Sequence, residues 1–494
     1  MIQRYATPKI TQIFCDKNKL NLWQNTELAL IQAMTNLGKI PPGIYERIAE
    51  AWLKNPIDIE WWKARDKEIH HDLNAFLDER YRFLPNELHC YVHKNITSYD
   101  TEEAPFAIML KEAVICVSES YNELRDTLAD MAIKYRHTIM NARTHGQEAE
   151  MQSFGARVLT WYQDLKMAKI QMDSATVNLQ LSKLSGAIGK YGSIDPAIEK
   201  ETLRIMGLTP YYGATQIMPR ILYAPIAQSL SNMMAVIDKI ATDIRLSARS
   251  GRVLMQEPFK KKQKGSTAMP HKKNTIVLER IEGLNVLAQG YALMISNTIK
   301  TWEERAIHQS SVERIAWPDL FHVTVLAIND LNKTLKGLKV YPDNMYKEIL
   351  ESRGVYASSE VKEFLKEHLV GDELAHEDIY RIVQLAAFNA FKPSEHVASI
   401  REIIPESFSQ AGELLFRMNV VERDLNSIQF IIAEAKLENT DDLDISEVQV
   451  YKYNYALKSL NLNDGPLTEQ WQELFTPEFL LKNEKILFQE ILGV

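Results

Sequence analysis

The stretch from Phe106 to His145 contains neither glycine nor proline. Within it, apolar side chains recur in alternating steps of four and three positions. They are Leu110, Val114, Val117, Tyr121, Leu124, Leu128, Met131 and Tyr135. Heptad spacing of this kind places one apolar stripe along a single helix of about 45 Å, at ~1.5 Å per residue. Because such a stripe must be covered by similar helices, the seam predicts a bundle of long helices with near-parallel packing.

Two further seams favour the same all-α architecture. One consists of Ile226, Leu230, Met233, Ile237, Ile240 and Ile244, and the other of Val158, Tyr162, Leu165, Ala168, Met172, Ala175 and Leu179. Residues 275–335 also have helical character, interrupted by Gly283, Gly290 and Pro318. No alternating Val/Ile segment competes with these patterns, so we expect no large sheet.

Changes in pattern along the chain predict three domains, in line with ~150 residues per domain. Residues 1–105 carry short helical patterns broken by prolines, and residues 106–355 would hold the long-helix bundle. Shorter helices return in 356–494, where the segment 437–447 is acidic and loop-like. Residues 461–494 form an extra tail that we expect to dock as a helical add-on. Its apolar side chains are Trp471, Leu474, Phe475, Phe479, Leu480 and Leu481.

Composition limits the class of partner. Lysine and arginine total 57 against 65 acidic residues, and a net charge of −8 gives no support for general nucleic-acid binding. The odd count of 3 cysteines favours reduced thiols and a cytoplasmic setting. No apolar run approaches the ~20 residues of a membrane span, and the first residues lack the apolar core of a signal peptide. We therefore expect a cytoplasmic protein without a membrane partner.

The densest positive charge lies in residues 257–275. Lysines surround Gly265, Ser266 and Pro270 there, and the glycine and proline predict a loop between two helices. In an acidic chain, this loop favours a site for a small polyanion. A solvated charged stretch or a nucleic-acid patch is the simpler alternative, but the aromatic residues typical of nucleic-acid binding are not interleaved with the lysines.

Four other polar clusters could contribute chemistry, at 68–72, 93–100, 143–147 and 303–314. Their spacing argues against several classes of site. No HExxH or CxxC pattern provides zinc ligands, and no GxxxxGK[ST] pattern provides a phosphate-binding loop. The GxSxG elbow of a serine hydrolase is also absent.

Proton chemistry on an anionic substrate fits the residues that remain. Ser266, beside Gly265 and among lysines, could be stabilised as an alkoxide and act as a base. Lys272 and Asn274 could hold a carboxylate whose negative charge grows as a neighbouring proton leaves. A histidine elsewhere could protonate the leaving group. Together these groups predict β-elimination from a dicarboxylate.

The loop motif carries a family resemblance. GSTAMPHKKN resembles the GSSxMPxKxN loop of the fumarase/aspartase superfamily, and three other segments are similar to active-site segments of that superfamily. They are HD at 71–72, TSxD at 97–100 and RTHGQ at 143–147. RY at 4–5, the MPHK form of the loop and SSVER at 310–314 narrow the resemblance to the adenylosuccinate lyases.

The resemblance implies an all-α, three-domain fumarase/aspartase-like fold with a central long-helix bundle. It also implies a homotetramer with a twenty-helix core, in which each active site is shared between three subunits. The expected reactions release fumarate from adenylosuccinate, giving AMP, and from SAICAR, giving AICAR. The resemblance implies neither a cofactor nor a metal.

The same resemblance assigns roles to individual residues. Ser266 matches the general base and His145 the general acid, while Lys272 and Asn274 match groups that stabilise the aci-carboxylate intermediate. Glu279 could polarise His145 from behind. The expected substrate-binding residues are Arg4, Tyr5, His71, Asp72, Thr97, Ser98, Gln216, Thr267, Lys272, Asn274, Arg305, Ser311 and Arg314.

The chain departs from the family pattern at Ile69–His70, Thr275, Arg280 and 303–309, which lie near binding groups more than near the acid–base pair. Argininosuccinate lyases, fumarases and carboxymuconate cycloisomerases are alternatives within the superfamily, and they should lack the RY start and the SSVER segment. A catalytically silent homologue is another alternative. It should lack the loop serine or the histidine, and this chain has both.

Overall fold

A computed structural model of the chain describes residues 1–371, 373–390 and 443–494. Helices dominate these residues, which confirms the predicted all-α class. No helix within the described ranges is long and apolar enough to cross a membrane.

The first half of the chain contains eight labelled helices. They are α1 (Pro8–Phe14), α2 (Asp16–Asn36), α3 (Ile44–Lys54), α4 (Ile59–Ile69), α5 (Asp72–Tyr81), α6 (Asn86–His89), α7 (Ser98–Lys134) and α8 (Phe154–Thr176). The later helices are α9 (Pro196–Ile205), α10 (Ala224–Leu246), α11 (Ile276–Ser296), α12 (His308–Lys336), α13 (Pro342–Glu351), α14 (Ser358–Leu369), α15 (His376–Ala390), α16 (Glu447–Leu460), α17 (Thr468–Glu473), α18 (Pro477–Leu480) and α19 (Lys485–Leu492).

The strands of the described residues form only two-stranded ladders. The strands are β1 (Ile139–Thr144), β2 (Gln147–Ser153), β3 (Leu181–Ser182), β4 (Thr209–Pro210), β5 (Ala248–Arg249), β6 (Arg252–Val253), β7 (Met255–Gln256) and β8 (Lys339–Val340). β1–β2, β5–β6 and β7–β8 are antiparallel, whereas β3–β4 is parallel. The expectation that no large sheet forms is therefore confirmed for this part of the chain.

The predicted seams follow the long helices. In α7, Leu110, Val117, Leu124 and Leu128 are fully buried, as the heptad spacing requires. All six seam positions of α10 are likewise buried. The helix is offset from the glycine-free and proline-free stretch, because α7 begins before Phe106, at Ser98, and ends at Lys134, before His145.

The segment after α7 differs from the sequence expectation, which offered no strand there. Residues 139–153 form the β1–β2 hairpin, with Thr144 paired to Gln147 across a two-residue turn. His145 and Gly146 occupy that turn with φ of 55° and 80°. Positive φ at both central positions matches the twist of adjacent strands, so a hairpin forms where the helical pattern stops.

Packing divides the described chain into two compact units. Unit 1 comprises Met1–Thr127, Asp164–Arg245 and Glu257–Gly337, and unit 2 comprises Leu128–Gln163, Leu246–Gln256 and Leu338–Val494. The three-part division at residues 105 and 355 stays a prediction.

Unit 1 contains an apolar cluster formed by the early helices. Trp23, Trp52 and Phe76 lie in it, each at most 2% exposed. Residues from the loop before α9, including Leu184, join the same cluster. The first hundred residues therefore pack with sequence-distant parts of unit 1.

Unit 2 contains a second cluster that includes the C-terminal tail. Trp471 and Phe475 are buried in it, and the Trp471 ring lies 5.4 Å from that of Phe364. The Ser153 N–H at the end of β2 donates to the Glu484 carboxylate at 2.9 Å. The tail thus packs against α14 and the end of β2. Of the predicted acidic loop at 437–447, positions 437–442 lie outside the described residues, and Leu443–Ser446 precede α16 without regular structure.

Candidate active site

The N-terminus of α7 carries the TSxD motif in a tight turn. The Thr97 N–H donates to Asp100 Oδ2 at 2.9 Å, and the Asp100 N–H donates back to the Thr97 carbonyl. This reciprocal pair satisfies two groups at the helix start and fixes the direction of the two hydroxyl residues. Thr97 and Ser98 are themselves half-buried.

A buried ion pair stabilises this turn. Lys183 Nζ lies 2.7 Å from Asp100 Oδ1, and neither side chain is exposed to solvent. Asp100 also accepts the Gly186 N–H, at 3.2 Å to Oδ2. Since a buried charge requires a partner and hydrogen bonds, the pair forces the helix start and residues 183–186 together.

Lys183 extends the contact to the GATQ segment. Its ammonium donates to the Gln216 backbone carbonyl at 2.7 Å. The Gln216 side-chain oxygen accepts from Arg305 Nη1 at 2.9 Å. Two predicted substrate-binding residues, Gln216 and Arg305, are therefore in direct contact and are linked through Lys183 to the TSxD turn.

Arg305 also stacks on the aromatic residue of that turn. Its guanidinium lies 3.9 Å from the centroid of the Tyr99 ring, and the Tyr99 hydroxyl lies 2.6 Å from Ser310 Oγ. Stacking of this kind fixes the plane of a guanidinium and leaves its remaining N–H groups available for an anion.

The first turns of α12 are locked to the same region by a second buried ionic group. Arg220 binds Glu313 through Nε at 2.8 Å and Nη2 at 3.1 Å, and binds Glu103 through Nη1 at 2.6 Å. All three side chains are buried. The glutamate of SSVER is therefore structural, while its neighbours Ser311 and Arg314 are exposed.

The HD motif lies at the start of α5. His71 is the N-cap, and its Nδ1 accepts the Asn74 N–H at 3.3 Å. Asp72 pairs with Arg314 at 2.9 Å, which connects α5 to α12. The structure thus brings the HD and SSVER motifs together.

A further acid faces this group of charges. Burial raises the pKa of Glu102 in α7 to about 8, and the Asp72 carboxylate adds to the rise, against the opposing effects of Lys19, Arg305 and Arg314. At neutral pH a protonated Glu102 does not neutralise the two arginines. The charge of Arg305 then has no carboxylate from α7 to offset it, whereas Arg314 stays paired with Asp72.

The lysine-rich segment is a loop, as predicted, but it follows the short strand β7 and not a helix, and it leads into α11. Ser266 Oγ accepts the Met269 N–H at 3.1 Å, and the Asn274 amide donates to the Gly265 carbonyl at 2.9 Å. A Cβ on residue 265 would lie 2.0 Å from the Lys272 carbonyl oxygen, so only glycine fits this close approach.

The ends of this loop are tied to α11. The Glu257 carboxylate accepts the Val277 and Leu278 amides at 3.2 and 3.3 Å, where it satisfies groups at the helix N-terminus. Glu279 lies 3.3 Å from Arg245, and Arg280 pairs with Asp330 in α12. The Arg280 departure thus introduces an ion pair between adjacent helices. Thr267 and Lys272 are exposed.

Two of the remaining predicted residues lie at the chain start. Arg4 is exposed and Tyr5 is partly exposed, in a turn where the Tyr5 N–H donates to the Ile2 carbonyl at 3.0 Å.

His145 occupies the tip of the β1–β2 hairpin in unit 2 and is exposed. Two ion pairs hold the hairpin close to its turn. Arg143 binds Glu148 on the opposite strand and Glu348 in α13, both at 2.9 Å.

Sequence reasoning missed Lys183, Tyr99 and Glu348. For Lys183 a signal was present, because a lone lysine lies among small and apolar residues in the run from Leu181 to Gly189. A lysine in such a run is expected to be buried, and a buried lysine is almost always paired with an acidic group. For Glu348 the sequence around it offers no comparable signal.

Comparison with known proteins identifies the family of the chain. The lyase family model matches residues 3–290. An adenylosuccinate lyase of Thermotoga maritima is 34% identical over 80% of this chain and 90% of its own length. That of Aquifex aeolicus is 33% identical over 79% and 89%.

The chain belongs to the adenylosuccinate lyase family. It is accordingly a C–N lyase, and the family resemblance predicted from its motifs is confirmed.

Solved structures agree on the fold of this lyase. A fumarate lyase from Mesorhizobium sp. BNC1 has a TM-score of 0.71 at 18% identity, covering 97% of this chain and 98% of its own. A β-carboxy-cis,cis-muconate cycloisomerase from Acinetobacter calcoaceticus sp. ADP1 has a TM-score of 0.70 at 18% identity, covering 92% and 98%. The fumarase/aspartase-like fold is thus confirmed.

Proposed function

We propose that this lyase releases fumarate from adenylosuccinate, leaving AMP, and from SAICAR, leaving AICAR. The observation that carries the proposal is the single network joining Thr97, Gln216 and Arg305 through Lys183 and Asp100. Residues far apart in the chain converge there in the manner of a substrate site. The family membership supplies the substrate class.

In the proposed reaction, Ser266 removes a proton from the carbon β to the substrate nitrogen. The electron pair of that C–H bond forms the fumarate double bond as the C–N bond breaks, and His145 gives a proton to the departing nitrogen. Between these events, Lys272 and Asn274 stabilise the negative charge on the succinyl carboxylate.

The local environment of Ser266 supports its role as base. The Met269 N–H donates to the serine oxygen, and donation to the charged form of a group lowers its pKa. The lysines of the same loop act in the same direction. The hydrogen bond from the Asn274 amide to the Gly265 carbonyl joins the residue before Ser266 to the end of the loop.

Binding of the nucleotide part is proposed for the arginine-rich side of unit 1. Arg305, positioned by Tyr99 and Gln216, and Arg314, beside Asp72, supply charge for a phosphate. Arg4, Tyr5, His71 and Ser311 are proposed to complete this side. Thr97, Ser98 and Thr267 are proposed to bind succinyl oxygens.

A homotetramer with active sites shared between three subunits belongs to the same proposal. It is supported by large apolar side chains that stay exposed on the long helices, where they are available for contact with another subunit. They are Met167, Ile170, Val286, Leu293, Met294 and Ile315. We also propose a cytoplasmic location, in keeping with three free cysteines.

The direct test follows turnover of adenylosuccinate and SAICAR, with argininosuccinate as the comparison substrate. We expect fumarate release from the first two and none from the third. Ser266→Ala should reduce kcat by at least ~10²-fold, as expected for loss of an acid–base group. Ser459→Ala, an exposed serine of α16, is the matched control. Failure of the wild-type enzyme to cleave adenylosuccinate would overturn the proposal.

Shared sites can be tested by mixing two inactive variants. Ser266→Ala and His145→Ala proteins are each expected to lack turnover, because each loses one half of the acid–base pair. After subunit exchange, mixed assemblies contain some sites with both groups intact, so activity should return. Absence of recovery, with exchange verified by mass spectrometry, would contradict sharing.

A further inference from the structure

Glu348 in α13 joins two segments of unit 2. Its Oε2 accepts a hydrogen bond from Arg143 Nη1 at 2.9 Å, and its Oε1 forms an ion pair with Arg252, 2.8 Å from Nε. Its backbone carbonyl also accepts the Asn141 side-chain amide at 3.1 Å. One residue thus holds β1 by two contacts and β6 by a third.

The contacts to β1 determine the position of the hairpin that carries His145. Arg143 is two residues before His145, and its other branch binds Glu148 on β2 at 2.9 Å. Because Thr144 pairs with Gln147, the turn beyond the Arg143–Glu148 pair consists of two residues only. A hairpin so short transmits any movement of Arg143 to the histidine at its tip.

The contact to β6 acts on the chain that leads into the lysine-rich loop. Two residues after Arg252, the Leu254 carbonyl accepts the Tyr341 N–H at 2.9 Å. The Tyr341 hydroxyl then donates to the Gln256 side chain at 2.9 Å. Residues 252–256 are therefore docked next to the N-terminus of α13, and the loop that holds Ser266 begins at the next residue.

The charges explain why this carboxylate is required. Arg143, Arg252 and Glu348 are only 13–20% exposed, so solvent screens them weakly. Burial lowers the pKa of Arg252, and the neighbouring Arg143 lowers it further, while Glu348 raises it. Without the Glu348 charge, two guanidinium groups would face each other, with Glu148 left as a partner of Arg143 alone.

We propose that Glu348 is a positioning residue of this lyase. Through a clamp formed by its contacts with Arg143 and Arg252, it fixes β1, which leads to the His145 turn, and β6, which precedes the Ser266 loop in the chain. The inference rests on the proposed function for the roles of His145 and Ser266. The clamp itself rests on the contacts within unit 2.

Glu348→Gln tests the proposal because it keeps the size of the side chain and removes its charge. The control is Glu351→Gln on the same helix, an exposed glutamate that lies 3.4 Å from Lys347. We expect kcat of Glu348→Gln to fall about 10- to 100-fold with KM close to that of wild type, as for a small displacement of catalytic groups. The control should retain both constants.

Hydrogen–deuterium exchange gives a readout that does not depend on turnover. Peptides covering 139–153 and 248–256 should exchange faster in Glu348→Gln than in the control, with other peptides unchanged. If the wild-type enzyme does not cleave adenylosuccinate, the proposed function fails, while this comparison still tests the clamp.

A third variant covers the case in which the glutamine variant does not fold. Glu348→Asp keeps the negative charge on a side chain that is one methylene shorter. This variant should fold, and its kcat should fall less than that of Glu348→Gln. Wild-type kcat in Glu348→Gln or in Glu348→Asp would overturn the proposal, as would unchanged exchange in both hairpin peptides.

Discussion

Asp100 and Lys183 form an ion pair of 2.7 Å in which neither side chain is exposed to solvent. The pair links the start of α7 to the Gly186 backbone and to the Gln216 carbonyl. Removing both charges from water is costly, and the cost is offset only because each charge makes further hydrogen bonds. The three segments that these bonds join contain Thr97, Ser98 and Gln216, which makes the pair the centre of the proposed binding region.

Lys183→Met should destabilise the protein by about 3–5 kcal/mol, because it leaves the Asp100 carboxylate buried without a counter-charge. Urea unfolding followed by circular dichroism measures the shift. Part of the loss should be recovered in the double variant Lys183→Met/Asp100→Leu, in which no unpaired charge remains.

Lys54→Met is the control for this substitution. Lys54 pairs with Glu50 on the surface of α3, where both side chains are mostly exposed. Exposed pairs contribute about 0–1 kcal/mol, so this variant should unfold near the wild-type midpoint. Equal shifts for Lys54 and Lys183 would contradict the importance given to burial.

Gly265→Ala should impair turnover while leaving the overall fold unchanged. The added Cβ would overlap the Lys272 carbonyl oxygen, so the loop that carries Ser266 must open. We expect kcat to fall by about 10- to 100-fold, in line with displaced catalytic groups. Steady-state kinetics and circular dichroism together separate this effect from unfolding.

The matched control is Gly192→Ala, at an exposed position where an added Cβ meets no neighbouring atom. Its kinetic constants should equal those of wild type. A Gly265→Ala enzyme with full activity would show that the close approach to Lys272 is not needed for catalysis.

Stability should depend on pH through Glu102. Its pKa is raised from 4.5 to about 8 in the folded chain, so between these values the folded state binds a proton that the unfolded state has released. Stability is therefore lost as pH rises through this window, by at most about 1.4 kcal/mol per pH unit. Glu102→Gln should remove this slope, which urea unfolding at pH 5 to 8 can measure.

Glu50→Gln is a suitable comparison for Glu102→Gln. Glu50 is exposed, and its hydrogen bond to Lys54 lowers its pKa, so its linkage has the opposite sign. This variant should keep the decline in stability toward pH 8. A Glu102→Gln protein with the wild-type slope would assign the proton to another group.

Arg305→Lys should weaken nucleotide binding more than it slows the chemical step. Lysine keeps the charge but loses both the planar stacking on Tyr99 and the directed bond to Gln216. A hydrogen bond to a charged group contributes about 1.5–3 kcal/mol, so we expect a 10- to 100-fold rise in the Kd for AMP, measured by calorimetry. Lys300→Arg, an exposed residue shortly before it, should leave the Kd unchanged.

Local pattern was sufficient to predict much of the architecture. The heptad seam of α7 and the seam of α10 are buried as expected, since side-chain periodicity on a helix needs no knowledge of distant residues. Gly265 and Pro270 likewise predicted the loop correctly, because both act on the backbone within a few positions. The β1–β2 hairpin was not predicted, since its strands lack an alternating apolar pattern.

The motifs named the residue types of the proposed site but not their contacts. The sequence by itself determined the all-α class, the loop that carries Ser266 and Lys272, and the family to which the chain belongs. Only the tertiary structure decided that Lys183 binds Asp100 and that Glu348 joins Arg143 to Arg252. Periodicity and turn chemistry act over a few residues, whereas these ion pairs join groups that only packing brings within hydrogen-bonding distance.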